Sequence, residues 1–284
     1  LPQLRVTADW RAPPERAEAE VRWLKLAAQI DPGCVPAVVG EDPARHMFAM
    51  HYLPPEQYPL WKAQLQGGQV DGAFARHTGA KIAKLHAATA GRPDIAAQFD
   101  NGGQFFALRL DAYLLFAAAR HPDIAPRIRA VVQDIAAARI ALMQGDISPK
   151  NILHGAEGPV FLDASTACYG DPVFDIAFCA NHLLLKCAWH PEHRTAYLES
   201  FRALTDAWLE GVTWENRSDA EARAAILLAM LFLARIDGKS PVEYLTDENR
   251  RALVRDAARD FILREETSLA NIARTWGERL DAAF

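Results

Sequence analysis

Two carboxylates and one amide, Asp146, Asn151 and Asp163, set the chemistry this sequence can do. The first pair lies in Gln144-Gly145-Asp146-Ile147-Ser148-Pro149-Lys150-Asn151-Ile152-Leu153, an acid followed by four residues and an amide. That spacing suits phosphoryl transfer from ATP. The acid accepts the proton of a substrate hydroxyl as its oxygen attacks the γ-phosphorus. The amide, across the loop, offers its oxygen to a magnesium ion. Pro149 fixes one φ angle in a loop that must hold its shape without helix hydrogen bonds. An acid and an amide so spaced recur by chance, and the following residues supply the specificity.

The elements that must position these groups come next. Ile152-Leu153-His154, Gly155-Ala156-Glu157-Gly158 and Pro159-Val160-Phe161-Leu162 read as strand, turn and strand. The second strand returns Asp163 to Asn151 as a second metal ligand. Tyr169-Gly170-Asp171-Pro172 then makes a turn, and Val173-Phe174-Asp175-Ile176-Ala177 opens a helix. Asp171 and Asp175 there are suited to accept backbone N–H bonds and brace the loop.

In these motifs the sequence resembles the aminoglycoside phosphotransferase family, relatives of protein kinases that phosphorylate small molecules. The family's H-G-D-x-x-x-x-N, its metal-binding Asp and its G-D-P-x-x-D-x-A all have counterparts here in order. The resemblance implies an α+β, protein-kinase-like fold of two lobes. Residues 1–53 would be what remains of a small nucleotide-binding sheet lobe, and 54–284 a mainly helical lobe with the catalytic loop and metal hairpin. It implies ATP and Mg2+ as cofactors, and the hydroxyl of a sugar, aminoglycoside or amino alcohol as acceptor. Asp146 is then the catalytic base and Asn151 and Asp163 the metal ligands. Glu20 and the linker His51, Tyr52 and Leu53 would serve the nucleotide.

This chain departs from the family in two places. Gln144 stands where the family has a His that packs and hydrogen-bonds the loop; an amide can still donate, so weakening rather than loss is expected. Ser165 stands where methylthioribose kinases and many other members carry an acid, and a hydroxyl is a poorer ligand for a hard cation. These departures leave an alternative reading, a weak or silent kinase relative acting as a binding or regulatory module.

Upstream, Pro13-Pro14-Glu15-Arg16 opens a helix through Glu20, Trp23 and Leu24, ended by Asp31-Pro32-Gly33. Glu20 falls where the family's helix glutamate pairs with an ATP-contacting Lys, or it is a solvated surface residue. Neither that Lys nor a Gly-rich loop precedes it, so the chain reads as a kinase whose first strands are missing. Glu20 should then be exposed, and MgATP should bind weakly. Leu1 to Trp10, with Arg16 and Glu20, is also similar to methylthioribose kinases, and Leu1 to Val6 reads as a strand's end. Val35 to Val39 and Met47 to Tyr52 read as strands joined at Glu41-Asp42-Pro43. Met50 to Pro55 is either the interlobe linker, its backbone facing adenine, or an ordinary strand and loop.

The remainder is helical by its spacing: a helix capped by Asp71, then Phe105 to Ala119 after a break at Gly102-Gly103, one from Pro126 to Ala138, and three more near 192–210, 219–236 and 247–264. His86 reads as a packed histidine, His190-Pro191-Glu192-His193 as a solvated joint, and Arg235 to Pro241 as a surface turn or a border of the acceptor pocket. The 284 residues carry a net charge of −5, which argues against nucleic acid or an anionic membrane as main partner. Cys34, Cys168, Cys179 and Cys187 show no metal spacing and read as reduced thiols of a cytoplasmic protein. Ala224 to Ala234 is too short an apolar run to span a bilayer.

Overall fold

In the computed structural model, which describes residues 12–284, the first helix forms at Arg16–Ile30 (α1). Leu1 to Val6, read as a strand's end, and the stretch Leu1 to Trp10 lie outside the described residues. The helix buries Ala19, Val21, Trp23, Leu24 and Ala27, the three- and four-residue spacing of one helical face. Asp31 ends it and is itself buried, 2.6 Å from the ammonium groups of both Lys81 and Lys84. Burial works against that carboxylate, but the two cations outweigh it and hold its pKa below the ordinary value.

The strands Val38–Asp42 (β1) and Met47–Met50 (β2) pair antiparallel through a turn at Pro43–Arg45. The first begins later than Val35, because Val35 is buried in the core and Pro36 has no N–H to give a ladder. A short helix, Trp61–Gln66 (α2), follows; the sequence reading had none there. Gly72–Thr89 (α3) starts as expected, with Asp71 accepting from the N–H groups of Ala73 and Phe74. After Pro93–Gln98 (α4), Gly102 and Gly103 do not break the chain. They form the first turn of a continuous helix (α5), α-helical at Gly102–Phe105, wound in wider π turns over Phe106–Leu115, and α-helical again at Phe116–Arg120. A first turn tolerates glycine because its N–H groups lack helical partners anyway; here the Asn101 carbonyl accepts from Gln104 and Phe105.

Ala125–Ala137 (α6) leads to Ala141–Met143 (β3). The catalytic hairpin is Ile152–Gly155 (β4) and Gly158–Phe161 (β5), paired from Ile152↔Phe161 to Gly155↔Gly158. Cys168–Gly170 (β6) returns to pair antiparallel with β3. Five helices complete the chain: Val173–Trp189 (α7), Arg194–Glu210 (α8), Arg217–Asp237 (α9), Glu248–Arg264 (α10) and Leu269–Ala283 (α11).

One hydrophobic cluster runs from Trp23 and Leu24 of α1 to Leu280 of α11. Helices α3 and α8 meet almost backbone to backbone: a Cβ at Gly79 would lie 2.0 Å from the Leu204 carbonyl oxygen. Helix α7 is buried from Val173 through Ala188, and so carries Asp175, His182 and Lys186 inside with its apolar residues. The hairpin is held from both sides: Phe161 N–H donates to the Cys34 carbonyl, and His154 N–H to that of Pro59.

Candidate active site

Helix α7 fixes the loop before Asp146. Asp175, 1% exposed, accepts from the backbone N–H groups of Gln144 at 2.7 Å and Gly145 at 2.8 Å. Its Oδ2 also lies 3.2 Å from His86 Nε2, while His86 Nδ1 accepts from the Trp208 indole at 3.1 Å. Accepting at Nδ1 puts the proton on Nε2, so His86 is a packed histidine that orients Asp175. Asp171 caps α7 through Val173 N–H and pairs with Arg223. Gly145 sits at φ 80° with its Cα against Thr166; a Cβ there would stand 2.7 Å from the Thr166 carbonyl oxygen.

Gln144 does more than stand in for a histidine. Its amide donates to the carbonyls of Leu162 at 2.7 Å and Asp163 at 2.9 Å, and its Oε1 accepts from Asp146 N–H at 2.7 Å. One side chain thus ties the loop that bears Asp146 to the hairpin end that carries Asp163.

Asp146 is 4% exposed. Its Oδ2 accepts from Lys150 at 2.8 Å and Asn151 at 2.9 Å, and its Oδ1 lies 3.2 Å from the Arg109 guanidinium. Burial pushes its pKa up, but Arg109, Lys150 and Asn151 together outweigh that and keep it below the ordinary value. At neutral pH Asp146 is therefore a carboxylate able to accept a proton. Lys150, half exposed, faces Asp146 rather than open solvent alone.

Arg109 is the site residue that the sequence did not reveal. It is buried on the π-wound part of α5, and also donates to the Gly145 carbonyl at 2.6 Å and toward Thr166 Oγ1 at 3.3 Å. Its one signal was a lone arginine inside the apolar run Phe105 to Phe116. Buried arginines need acceptors, and here the catalytic loop supplies them.

Asp163 occupies the left-handed region at φ 56°, a conformation that a non-glycine residue holds only where its surroundings enforce it. Ser165 Oγ donates to its Oδ1 at 2.9 Å. Glu20, expected to be exposed, is instead half-buried against this segment. The N–H groups of Asp163 and Ala164 point at its carboxylate, and burial with the Asp163 charge raises its pKa to about 7. It is drawn in because those N–H groups, at the end of a strand, want an acceptor.

Asp146, Asp163 and Ser165 line a single cavity of about 290 Å³. Arg109 and Tyr113 of α5 border it, as do Arg235, Ser240 and Pro241. Of the two readings of the Arg235 to Pro241 loop, it is the cavity border that forms. Asn151 spends its NH2 on Asp146 and keeps its amide oxygen. That oxygen and the Asp163 carboxylate are the hard donors magnesium takes, and the residues present fit such an ion. In the linker, the His51 N–H is already committed to the Ala37 carbonyl at 2.8 Å, and Tyr52 is 79% exposed. His190 is partly buried rather than solvated, its ring tilted against Trp189 at 4.1 Å and bonded to Glu192.

The model of the phosphotransferase enzyme family (APH) matches residues 5–211 of this sequence. The chain belongs to that family. It is accordingly an ATP-dependent phosphotransferase that acts on the hydroxyl of a small molecule. Among solved structures it is similar to a choline/ethanolamine kinase family protein from Mesorhizobium loti, at 19% identity and a TM-score of 0.51, covering 94% of this chain and 78% of that one. An aminoglycoside phosphotransferase from Alicyclobacillus acidocaldarius is 14% identical, with a TM-score of 0.48 and coverage of 96% and 85%. The first likeness shows the kinase-like fold. No curated protein matches the chain. Among the described residues no helix is long and apolar enough to cross a membrane.

Proposed function

We propose that Asp146 is the general base, that Asn151 and Asp163 hold magnesium, and that the acceptor hydroxyl binds in the cavity lined by Asp146 and Asp163. The observation that carries this reading is Asp146: a buried carboxylate, kept ionised by Arg109 and Lys150, at the floor of a cavity also lined by Asp163. In the reaction the acceptor oxygen bonds to the γ-phosphorus, the bond from phosphorus to the ADP oxygen breaks, and the hydroxyl proton passes to an Asp146 oxygen. Magnesium, when bound, supplies neutralisation of phosphate charge. Lys150 adds a mobile positive charge beside the base, and Gln144 sets the distance between the two halves of the site.

The nucleotide contacts belong to the same reading. Glu20 braces the Asp163 segment, while His51, Tyr52 and Leu53 offer backbone groups to adenine, the His51 carbonyl as an acceptor since its N–H is taken. The division at residue 53 into a nucleotide-binding part and a helical part follows from it. Acceptors of the sugar, aminoglycoside or amino alcohol type belong to the same reading, the last supported by the name of the similar choline/ethanolamine kinase family protein. Four buried free thiols fit a reducing, cytoplasmic setting.

Asp146→Asn tests the base. It should lower turnover by about a hundredfold or more while MgATP still binds, because it removes proton acceptance along with the charge that faces Arg109 and Lys150. Asp163→Ala should instead weaken magnesium-dependent nucleotide binding. Wild-type turnover in Asp146→Asn would remove Asp146 from the role.

A further inference from the structure

Beside the cavity that holds Asp146 is a smaller recess of about 40 Å³, lined by Lys62, His182, Lys186, Arg235, Glu243 and Tyr244. Four buried polar atoms among these residues have no hydrogen-bond partner among the described residues: Lys186 Nζ, His182 Nε2, Arg235 Nε and Tyr244 Oη. Buried polar groups are almost always paired, and each exception calls for an explanation. Four at one recess mark a place built for something that is not part of the chain.

The charges say what that is. Glu243 is the recess's one carboxylate, and it is bonded to Lys62. Lys150, at the rim, is bonded to Asp146. Neither Lys186 nor Arg235 is bonded to an acid among the described residues, Arg235 donating instead to Ser240, and Lys186 is 1% exposed. Its ammonium faces the rings of Tyr244 at 4.4 Å and Trp189 at 5.0 Å, which soften the burial of a cation but supply no anion. Water could satisfy lone pairs and protons here, and there is room for about three water-sized groups. Water cannot cancel two buried positive charges. Lysine and arginine are donors only, and a tyrosine hydroxyl can donate with them, so an oxygen-rich anion completes the set, while the one carboxylate that could meet a cation, Glu243, is already bonded to Lys62.

We infer that the acceptor is an anionic hydroxyl compound, whose carboxylate or phosphate group sits against Lys186 and Arg235 while its hydroxyl reaches Asp146. This rests on the phosphotransfer reading above and sets an anionic acceptor against the cationic aminoglycoside and amino alcohol types named there. The recess and the cavity share His182, Arg235 and Glu243, so one small molecule can span both. The local field agrees: burial, followed by Arg235, Lys186, Lys150 and Lys62, holds His182 well below its ordinary pKa and therefore neutral.

The test uses the full chain with MgATP and acceptors that share a skeleton: glycerol, glycerate and glycerol 3-phosphate, with choline and kanamycin as cationic compounds. ADP release should favour an anionic acceptor over glycerol by about tenfold or more in kcat/KM, the worth of one charge-assisted bond. Whether glycerate or glycerol 3-phosphate leads separates carboxylate from phosphate. Lys186→Met and Arg235→Met should each raise the KM of the anionic acceptor about tenfold, with kcat less affected. Calorimetry with the same anions reports binding without turnover, and should show it weakened in Lys186→Met and Arg235→Met. Inorganic phosphate should raise the Tm of the wild type and not that of Lys186→Met. Preference for choline, kanamycin or glycerol would overturn the inference and leave the phosphotransferase reading standing, as would anion binding unchanged in both variants. Anions that bind wild type but not Lys186→Met, with no acceptor phosphorylated, would support the anion site and count against the phosphotransfer reading.

Discussion

Replacing Lys186 by Met should make this protein more stable, although it removes a side chain that is almost wholly buried. The Lys186 ammonium has no acceptor, and burial, followed by the positive charge of Lys62, lowers its pKa from 10.5 to about 8 despite Glu243 nearby. At neutral pH a shift of that size costs about 3 kcal/mol, at about 1.4 kcal/mol per unit. The two facing rings return about 1 kcal/mol, so the net cost is about 2 kcal/mol. Methionine keeps the apolar stem and drops the charge, and exchanges of buried ions for apolar groups often stabilise by about 1–4 kcal/mol. With an unfolding entropy of about 2.1 cal/mol/K per residue over 284 residues, the gain is about 3 °C in Tm.

The sign with pH follows from linkage. The folded pKa lies below the unfolded one, so between pH 8 and 10.5 the unfolded chain binds more protons, and stability from this group rises with pH. The cost is fully present below pH 8 and gone above 10.5. Calorimetry of wild type and variant at pH 7 and pH 10, in phosphate-free buffer, should therefore show the variant's advantage shrinking as pH rises. A variant less stable than wild type at pH 7, or an advantage equal at both values, would refute the reasoning.

Gln144→Ala deletes two bonds donated from the loop to the hairpin end and one accepted within the loop from Asp146 N–H; urea unfolding should show a loss of about 2–3 kcal/mol, with turnover reduced as Asp163 loosens. Arg109→Met removes the main cation holding Asp146 below its ordinary pKa, so the acid limb of the kcat/KM profile should move to higher pH; an unmoved limb would show that Arg109 does not set it. Ser165→Glu places an acid beside Asp163 and should lower the magnesium concentration for half-maximal turnover, and no change would mean that this position does not reach the metal.

Local sequence carried the hairpin, its glycine turn, the α1 start after two prolines and the Asp71 cap, because each depends on residues within a turn or two of one another. The spacing of Asp146, Asn151 and Asp163 was legible for the same reason: one short loop and one hairpin bring them together. The short helices α2 and α4 were not legible, since six residues give too little periodicity to read. Nor was the helical role of Gly102 and Gly103, which the Asn101 carbonyl settles. Arg109 joins Asp146 only because α5 packs under the loop, and its charge changes meaning once the Gly145 carbonyl and Asp146 surround it. The half-burial of Glu20 likewise depends on where the hairpin ends. The basic recess is the clearest case. Lys62, His182, Lys186 and Arg235 come from α2, α7 and α9, far apart in sequence, in a chain whose net charge is negative. Composition reports the total charge, but a ligand feels the field where these helices converge, and only the packing of α7 and α9 decides that.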